Sequence, residues 1–221
     1  LIVLCTPVDS MRAIARQLHA LPLKPGCIVT DVGSVKTPVV TALEEIFSKS
    51  GTTFIGSHPM AGSERSGIAA ARADLFEGSV CILTPTIFTP DAPLAAAREL
   101  WTLAGCHLLE MQPEEHDRKI ARVSHLPHLA AIAVTLAALR ADPSAALCAG
   151  NGFRDVTRIA SGDASLWTGI ISQNRAEIIA ALKDAHEVSG DLLAVIRSGD
   201  DHALRRVLHE AQSLRDTTVP G

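Results

Sequence analysis

Four short apolar runs in the first half of the chain, each closed by polar or turn-forming residues, set the pattern. Leu1 to Cys5 ends at Thr6-Pro7, Cys27 to Thr30 at Asp31 and Gly33, Thr53 to Gly56 at Ser57-His58, and Val80 to Leu83 at Thr84-Pro85. Continuous apolar runs of this length, bounded by Gly and Pro, suit strands of a parallel sheet buried on both faces. An amphipathic stretch, Ser10 to Ala20, lies between the first two runs, and another, Pro38 to Ser48, between the second and third. Strands alternating with helices predict βαβ units with right-handed crossovers. Asp91 to Ala104 reads as a further helix and His107 to Met111 as a last strand.

The texture changes at Pro113-Glu114-Glu115, a good helix start with proline first and acids in the first turn. Alanine and leucine dominate from there to Ala141, broken once by Pro127. The ring of Pro127 clashes with the carbonyl four residues earlier, which predicts a kink. Asp163 to Ser198 and Asp200 to Arg215 read as further helices, and no strand pattern follows Met111. The expected fold is therefore α/β followed by all-α, with a domain of residues 1–112 and a second of 113–221.

A length of 221 residues, 47% hydrophobic and 20% charged, is enough for one large domain or two small ones with a real core. The net charge of −4 is spread without a long run of one sign, which argues against nucleic acid or a membrane surface as partner. No apolar run reaches the roughly 18 residues of a membrane span, and no secretory leader is visible. The five cysteines are widely spaced, odd in number and free of C-x-x-C, as expected of reduced thiols in the cytoplasm.

Candidate chemistry collects in four segments. The loop Asp31-Val32-Gly33-Ser34-Val35-Lys36 follows a predicted strand, at the edge where open α/β sheets bind ligands. Gly33 lets the backbone approach a ligand and Ser34 offers a hydroxyl; alternatively Ser34 is a helix N-cap. In Gly56-Ser57-His58-Pro59-Met60-Ala61-Gly62-Ser63-Glu64, His58 follows a strand and is suited to take a proton near neutral pH. Glu64 can orient it or gate the cleft; alternatively His58 is a satisfied structural histidine.

In Ser124-His125-Leu126-Pro127-His128, the two histidines, with His116, form a weak candidate for a metal-dependent hydrolase. The better use of this restarted helix is to favour an anion, with His128 on a substrate carboxylate. The fourth segment runs Gly150-Asn151-Gly152-Phe153-Arg154-Asp155-Val156-Thr157-Arg158. It reads as a flexible loop leading to two arginines that share a helical face. Arginine matches a carboxylate with two parallel hydrogen bonds, although a surface ion-pair set with Asp155 is the plainer reading. Trp167 nearby suits core or interface.

Taken in order, Asp31-Val32-Gly33-Ser34-Val35-Lys36, His58-Pro59-Met60-Ala61-Gly62-Ser63-Glu64, Ser124-His125-Leu126-Pro127-His128 and Thr157-Arg158-Ile159-Ala160 resemble the prephenate dehydrogenase family, arogenate and cyclohexadienyl dehydrogenases included. The resemblance implies a Rossmann-type sheet followed by a helical domain that binds substrate and forms a homodimer. It implies NAD- or NADP-dependent oxidative decarboxylation of prephenate, or of arogenate, in tyrosine biosynthesis. By resemblance His58 accepts the ring-hydroxyl proton, and Ser34 helps hold that hydroxyl and the nicotinamide. Arg158 is implied to anchor the substrate carboxylate. His128, Ser63 and Glu64 are implied on the substrate side, with Arg154, Asp155 and Trp167 lining the site, some of them across a dimer interface. Thr6, Pro7, Gly33 and Ser34 are implied on the cofactor side.

The family begins with a strand, a G-x-G-x-x-G turn, a helix and a ribose-binding acid, whereas Leu1 to Val8 resembles a later strand with its Thr-Pro turn. About 60 residues of the family pattern are thus expected to lie outside this sequence. The competing expectation is a catalytically silent fragment that serves as a dimerisation or tyrosine-sensing module.

Overall fold

The structure is a computed structural model and describes residues 1–48, 50–62 and 67–218. By packing, the chain forms two compact units, Leu1–Ile178 and Ile179–Gly221. The first unit is built on a five-stranded sheet of order β1-β2-β3-β4-β5. Its strands are β1 (Ile2–Leu4), β2 (Ile28–Asp31), β3 (Thr53–Pro59), β4 (Val80–Thr84) and β5 (His107–Glu110). Helices α1 (Val8–His19), α2 (Thr37–Phe47) and α3 (Asp91–Leu103) connect β1 to β2, β2 to β3 and β4 to β5.

Each helix buries one stripe. Val8, Met11 and Ala15 of α1 and Val39, Val40, Leu43 and Phe47 of α2 pack with Leu4, Val29 and Phe54 of the sheet. Leu94, Ala97 and Trp101 of α3 pack with Ile55, Cys81 and Leu83. Phe54 and Ile55 serve different clusters because successive strand residues point to opposite faces. Fully burying a side chain such as Leu43 or Phe47 contributes roughly 1.5–3 kcal/mol.

The sheet departs from the expected all-parallel pattern at one joint. β3 pairs antiparallel with β4, Gly56 opposite Thr84 and Pro59 opposite Cys81, while the other three pairings are parallel. The described part of the link between β3 and β4 holds only the short turn Ile68–Ala70, not a crossover helix. Without a crossover the chain returns antiparallel. This partner also draws Ser57, His58 and Pro59 into β3, which runs three residues past its predicted end at Gly56. His58 therefore sits inside a strand rather than after it.

Beyond β5 the first unit is helical: α4 (Pro113–Ile120), α5 (Leu126–Leu139), α6 (Asn151–Thr157), α7 (Ala164–Gln173) and the start of α8 (Arg175–Ser198). The break expected at Pro127 falls just ahead of it, as a π-helical turn over Ala121–His125. The wider turn removes the clash between the Pro127 ring and the preceding carbonyls. The single long helix expected over Asp163–Ser198 is two helices, parted at Asn174. Asn174 ends α7 in a non-helical conformation and is buried, its side-chain amide donating to the Asp117 carbonyl. The glycine-flanked loop expected at Gly150–Gly152 is instead the start of α6.

Pro113–Leu139 is long and apolar enough, by length and composition alone, to cross a membrane. Its inward-facing His116, Asp117, His125 and His128 instead build the site described below. The second unit consists of α8 beyond Ile178 and α9 (Asp201–Thr218).

Candidate active site

A cleft of about 800 Å³ opens beside the β2–α2 loop and is lined by Ser34, His58, His125, His128, Arg158 and Trp167, among others. All but Trp167 come from the four segments singled out in the sequence. Residue by residue, the fold explains how they meet.

His58 is opposite Ile82 in the sheet, so both point to the same face. Ile82 packs there against Ile120 of α4, and His58 meets His116 of the same helix. His58 Nδ1 lies 2.9 Å from His116 Nε2, and His116 Nδ1 lies 2.8 Å from Asp117 Oδ1. All three residues are buried. The Asp117 carboxylate also accepts from the backbone N–H groups of Lys36 and Thr37, at 2.7 and 2.8 Å. It therefore caps the N-terminus of α2, a place where the orphan N–H groups favour an anion. Ser34 is not the cap: the N-cap residue is Lys36, and no side chain of the helix's own segment bonds there. Ser34 is left to line the cleft.

Below His58 lies a second buried network. Lys36 Nζ pairs with Asp31 Oδ2 and donates to the Ser57 carbonyl at 2.9 Å. Asp31 also accepts from the backbone N–H of Gly33 and of Ser57, at 2.9 and 3.0 Å. These bonds tie the end of β2 to the middle of β3 and hold the loop that carries Ser34. Gly33 has a packing role beside the one expected. A Cβ there would lie 2.8 Å from Val8 Cγ1 and 2.9 Å from Asp31 Oδ2, so its missing side chain admits helix α1. Thr6 and Pro7 lie at the carboxyl end of β1, outside the cleft lining, with Pro7 capping α1. The Thr6 hydroxyl is buried and has no hydrogen-bond partner among the described residues.

On the far wall the His128 ring stacks flat on Trp167, centroids 3.4 Å apart and planes 8° apart. Gly162 makes room for this stack. His125 Nδ1 accepts from the Asn174 amide at 3.3 Å, and its Nε2 is buried with no partner among the described residues. Arg158 opens a short 3₁₀ turn after α6 and reaches the cleft. Arg154 and Asp155 stand exposed on α6 and do not line it, so the two arginines do not work on one face. Ser63 and Glu64 lie outside the described residues.

The imidazoles around this cleft are held neutral. Burial pushes the pKa of His58 well below the usual histidine value, and the nearby His116, Lys36 and His125 push the same way. His116 is lowered by burial, against the opposing pull of Asp117. Burial takes His125 down to about 4, opposed by Asp117, and also lowers His128. Asp117 is held below the usual carboxylate range: its burial acts upward, but the bonds from His116, Lys36 and Thr37 outweigh it. The site thus offers an uncharged basic nitrogen, hydroxyl and imidazole hydrogen-bonding groups, and a guanidinium. That set suits proton abstraction from an anionic substrate.

His116 and Asp117 are the buried pair in this network that the sequence does not single out, His116 standing there only as a candidate metal ligand. One signal was present: a His-Asp pair in the first helix after the sheet, in an otherwise charged turn.

Two family models cover almost the whole chain: "Prephenate dehydrogenase, nucleotide-binding domain" matches residues 1–110 and "Prephenate dehydrogenase, dimerization domain" residues 112–210. A prephenate dehydrogenase of Bacillus subtilis is 32% identical over 97% of this chain and 58% of its own length. A cyclohexadienyl dehydrogenase of Zymomonas mobilis is 33% identical over 97% of this chain and 74% of its own. Among solved structures, the prephenate dehydrogenase of Aquifex aeolicus in complex with hydroxyphenyl propionate and NAD+ superposes with a TM-score of 0.88. It is 34% identical over 96% of this chain and 74% of that one. The chain thus spans less than two thirds of the Bacillus relative's length.

Proposed function

The chain belongs to the prephenate dehydrogenase family, and from that premise we propose that the protein oxidatively decarboxylates prephenate to 4-hydroxyphenylpyruvate, or arogenate to tyrosine. The observation that carries this reading is the buried, neutral His58, tied through Nδ1 and facing a cleft shared with Ser34, His128 and Arg158.

In this reading His58 accepts the proton of the substrate's ring hydroxyl, and Ser34 holds that hydroxyl in place. Negative charge builds on the oxygen as the carbon beside it is oxidised, so a base bonded there lowers the barrier. Arg158 binds a substrate carboxylate, and His128, set by its stack on Trp167, contacts the substrate from the far wall. Ser63 and Glu64 belong to the substrate side. Arg154 and Asp155, exposed in the single chain, complete a site from a neighbouring copy. Loss of carbon dioxide restores an aromatic ring and makes the reaction effectively irreversible.

NAD or NADP, when bound, supplies the hydride acceptor. The residues present fit such a group. Thr6, Pro7, Gly33 and Ser34 cluster at the carboxyl ends of β1 and β2, where open α/β sheets take nucleotides. The partnerless buried hydroxyl of Thr6 supports a polar ligand at that edge.

Residues 1–112 would then be the dinucleotide-binding part, and 113–221 the substrate-binding part through which two copies pair. Exposed apolar side chains along α8 and α9, such as Val188 at 63% and Leu208 at 59%, support a homodimer. A cytoplasmic location suits the five free cysteines.

The test is His58→Asn in the full-length protein, assayed by reduction of the dinucleotide with prephenate and with arogenate. Turnover should fall by about 100-fold or more while KM stays within about threefold. Undiminished turnover would remove His58 as the base, and a native protein inert toward both substrates would overturn the activity.

A further inference from the structure

Resting on that reading of His58 as the base, we propose that His116 and Asp117 are positioning residues: they fix His58 with its proton on Nδ1, leave Nε2 bare toward the cleft, and receive the Nδ1 proton as Nε2 is loaded.

Three consecutive contacts set the tautomer. Asp117 is an anion held by two backbone donors at the start of α2, so its oxygens only accept. The 2.8 Å contact to His116 is then a donation from His116 Nδ1–H. A neutral His116 has its lone pair on Nε2, which lies 2.9 Å from His58 Nδ1. One of two facing nitrogens must carry the hydrogen, and it is His58 Nδ1. The tautomer of the base is thereby set by a carboxylate two residues away in contact, with no direct bond between them.

The same chain solves a problem created by burial. His58 is 6% exposed, and the charged group facing it is the Lys36 ammonium, with His125 and His116 as further imidazoles. Among the described residues no carboxylate faces His58, so none of them balances a positive charge resting there. His116 is better placed: it touches Asp117 and feels Asp31 as well as Lys36.

The transfer balances in two proton moves. The substrate O–H bond breaks, its electron pair stays on oxygen, and an N–H bond forms at His58 Nε2. The His58 Nδ1–H bond breaks and an N–H bond forms at His116 Nε2. His58 ends neutral in the opposite tautomer, and the single positive charge lies on His116 against Asp117. Return of that proton to Nδ1, with release of the Nε2 proton to water, resets the pair.

Two measurements on the full-length protein test this. Nitrogen-15 NMR of histidine-labelled protein, without substrate or dinucleotide, should show His58 protonated at Nδ1 and bare at Nε2. The reverse pattern would overturn the tautomer assignment, and this reading needs no variant and no activity. His116→Gln keeps an oxygen that can accept from His58 but cannot take the proton. It should leave the His58 tautomer in place while kcat falls about 100-fold and KM stays within about threefold. Turnover within about threefold of wild type would overturn the proton transfer. Asp117→Asn should scramble the His58 tautomer, and an unchanged pattern would remove Asp117 from the assignment. If the native protein oxidises neither substrate, the activity fails, while the NMR result still decides the tautomer.

Discussion

Gly162→Ala isolates the geometry of the far wall from its stability. Gly162 has φ −60° and ψ 152°, extended backbone that alanine adopts without strain. An added methyl would lie 2.6 Å from Trp167 Nε1, 3.0 Å from Trp167 Cδ1 and 3.0 Å from His128 Cε1. Comfortable contact is about 3.5–4.0 Å, so the stacked pair must move by about 1 Å. Replacing glycine stiffens the unfolded chain and stabilises by about 0.4–1 kcal/mol. Loosening the stack forfeits about 0.5–1.5 kcal/mol. The two nearly cancel, and Tm should barely change. A displacement of about 1 Å in a group that positions substrate nevertheless costs up to about 100-fold in kcat/KM. Fluorescence supplies a direct readout, because the chain has only two tryptophans and Trp101 is buried in the core. In a Trp101→Phe background Trp167 reports alone, and protonation of the stacked His128 quenches it. Burial holds the His128 pKa below 6.5, so the quenching midpoint should lie below that value and rise toward it in Gly162→Ala. An unmoved midpoint together with kcat/KM within about twofold of the parent would refute the claim that Gly162 sets the stack.

Acid should destabilise the protein ahead of carboxylate titration. His58, His116 and His125 are held neutral in the fold, so the unfolded chain takes up protons that the native state refuses, and stability is full only above the ordinary histidine pKa. For His125, whose pKa falls from 6.5 to about 4, the loss amounts to about 3 kcal/mol as pH drops through that window. Urea unfolding at a series of pH values should show the decline, and a flat profile from 6.5 to 4 would contradict it. Lys36→Met leaves the Asp31 carboxylate buried without its cation and should cost about 3–5 kcal/mol, with part recovered in Lys36→Met/Asp31→Asn. A loss under about 1 kcal/mol would show that the backbone donors suffice for Asp31.

The strands and the first three helices were legible because each apolar run is short, closed by a turn former and matched to a helix with one buried stripe. The antiparallel β3–β4 joint was not legible, since strand direction depends on what the connecting chain folds into. Pro127 announced a disturbance but not its kind. A π turn and a kink both relieve the same clash; the π turn that forms leaves His125 and His128 buried. Within the site, His58, Ser34, His128 and Arg158 carried enough local pattern to be weighed and Trp167 entered through the family resemblance; all five line one cleft. The packing of α1 against Gly33 was not legible, because closeness to a helix and closeness to a ligand call for the same missing side chain. The His116–Asp117 pair escaped because its meaning lies in a contact with β3, more than fifty residues earlier in the chain, and nothing local records the partner.

Asp117 bears on how this chain can be cut and recombined. The two family segments abut at residue 111, and a designer of chimeras would swap halves there. A sheet half carried as residues 1–110 would arrive with the N-terminus of α2 uncapped and with His58 lacking its acceptor. Its buried polar groups would be exposed to whatever helix the new partner supplied. The portable cassette therefore runs on through α4 and the π turn to His125, so the smallest transplantable base includes the first helix of the other half.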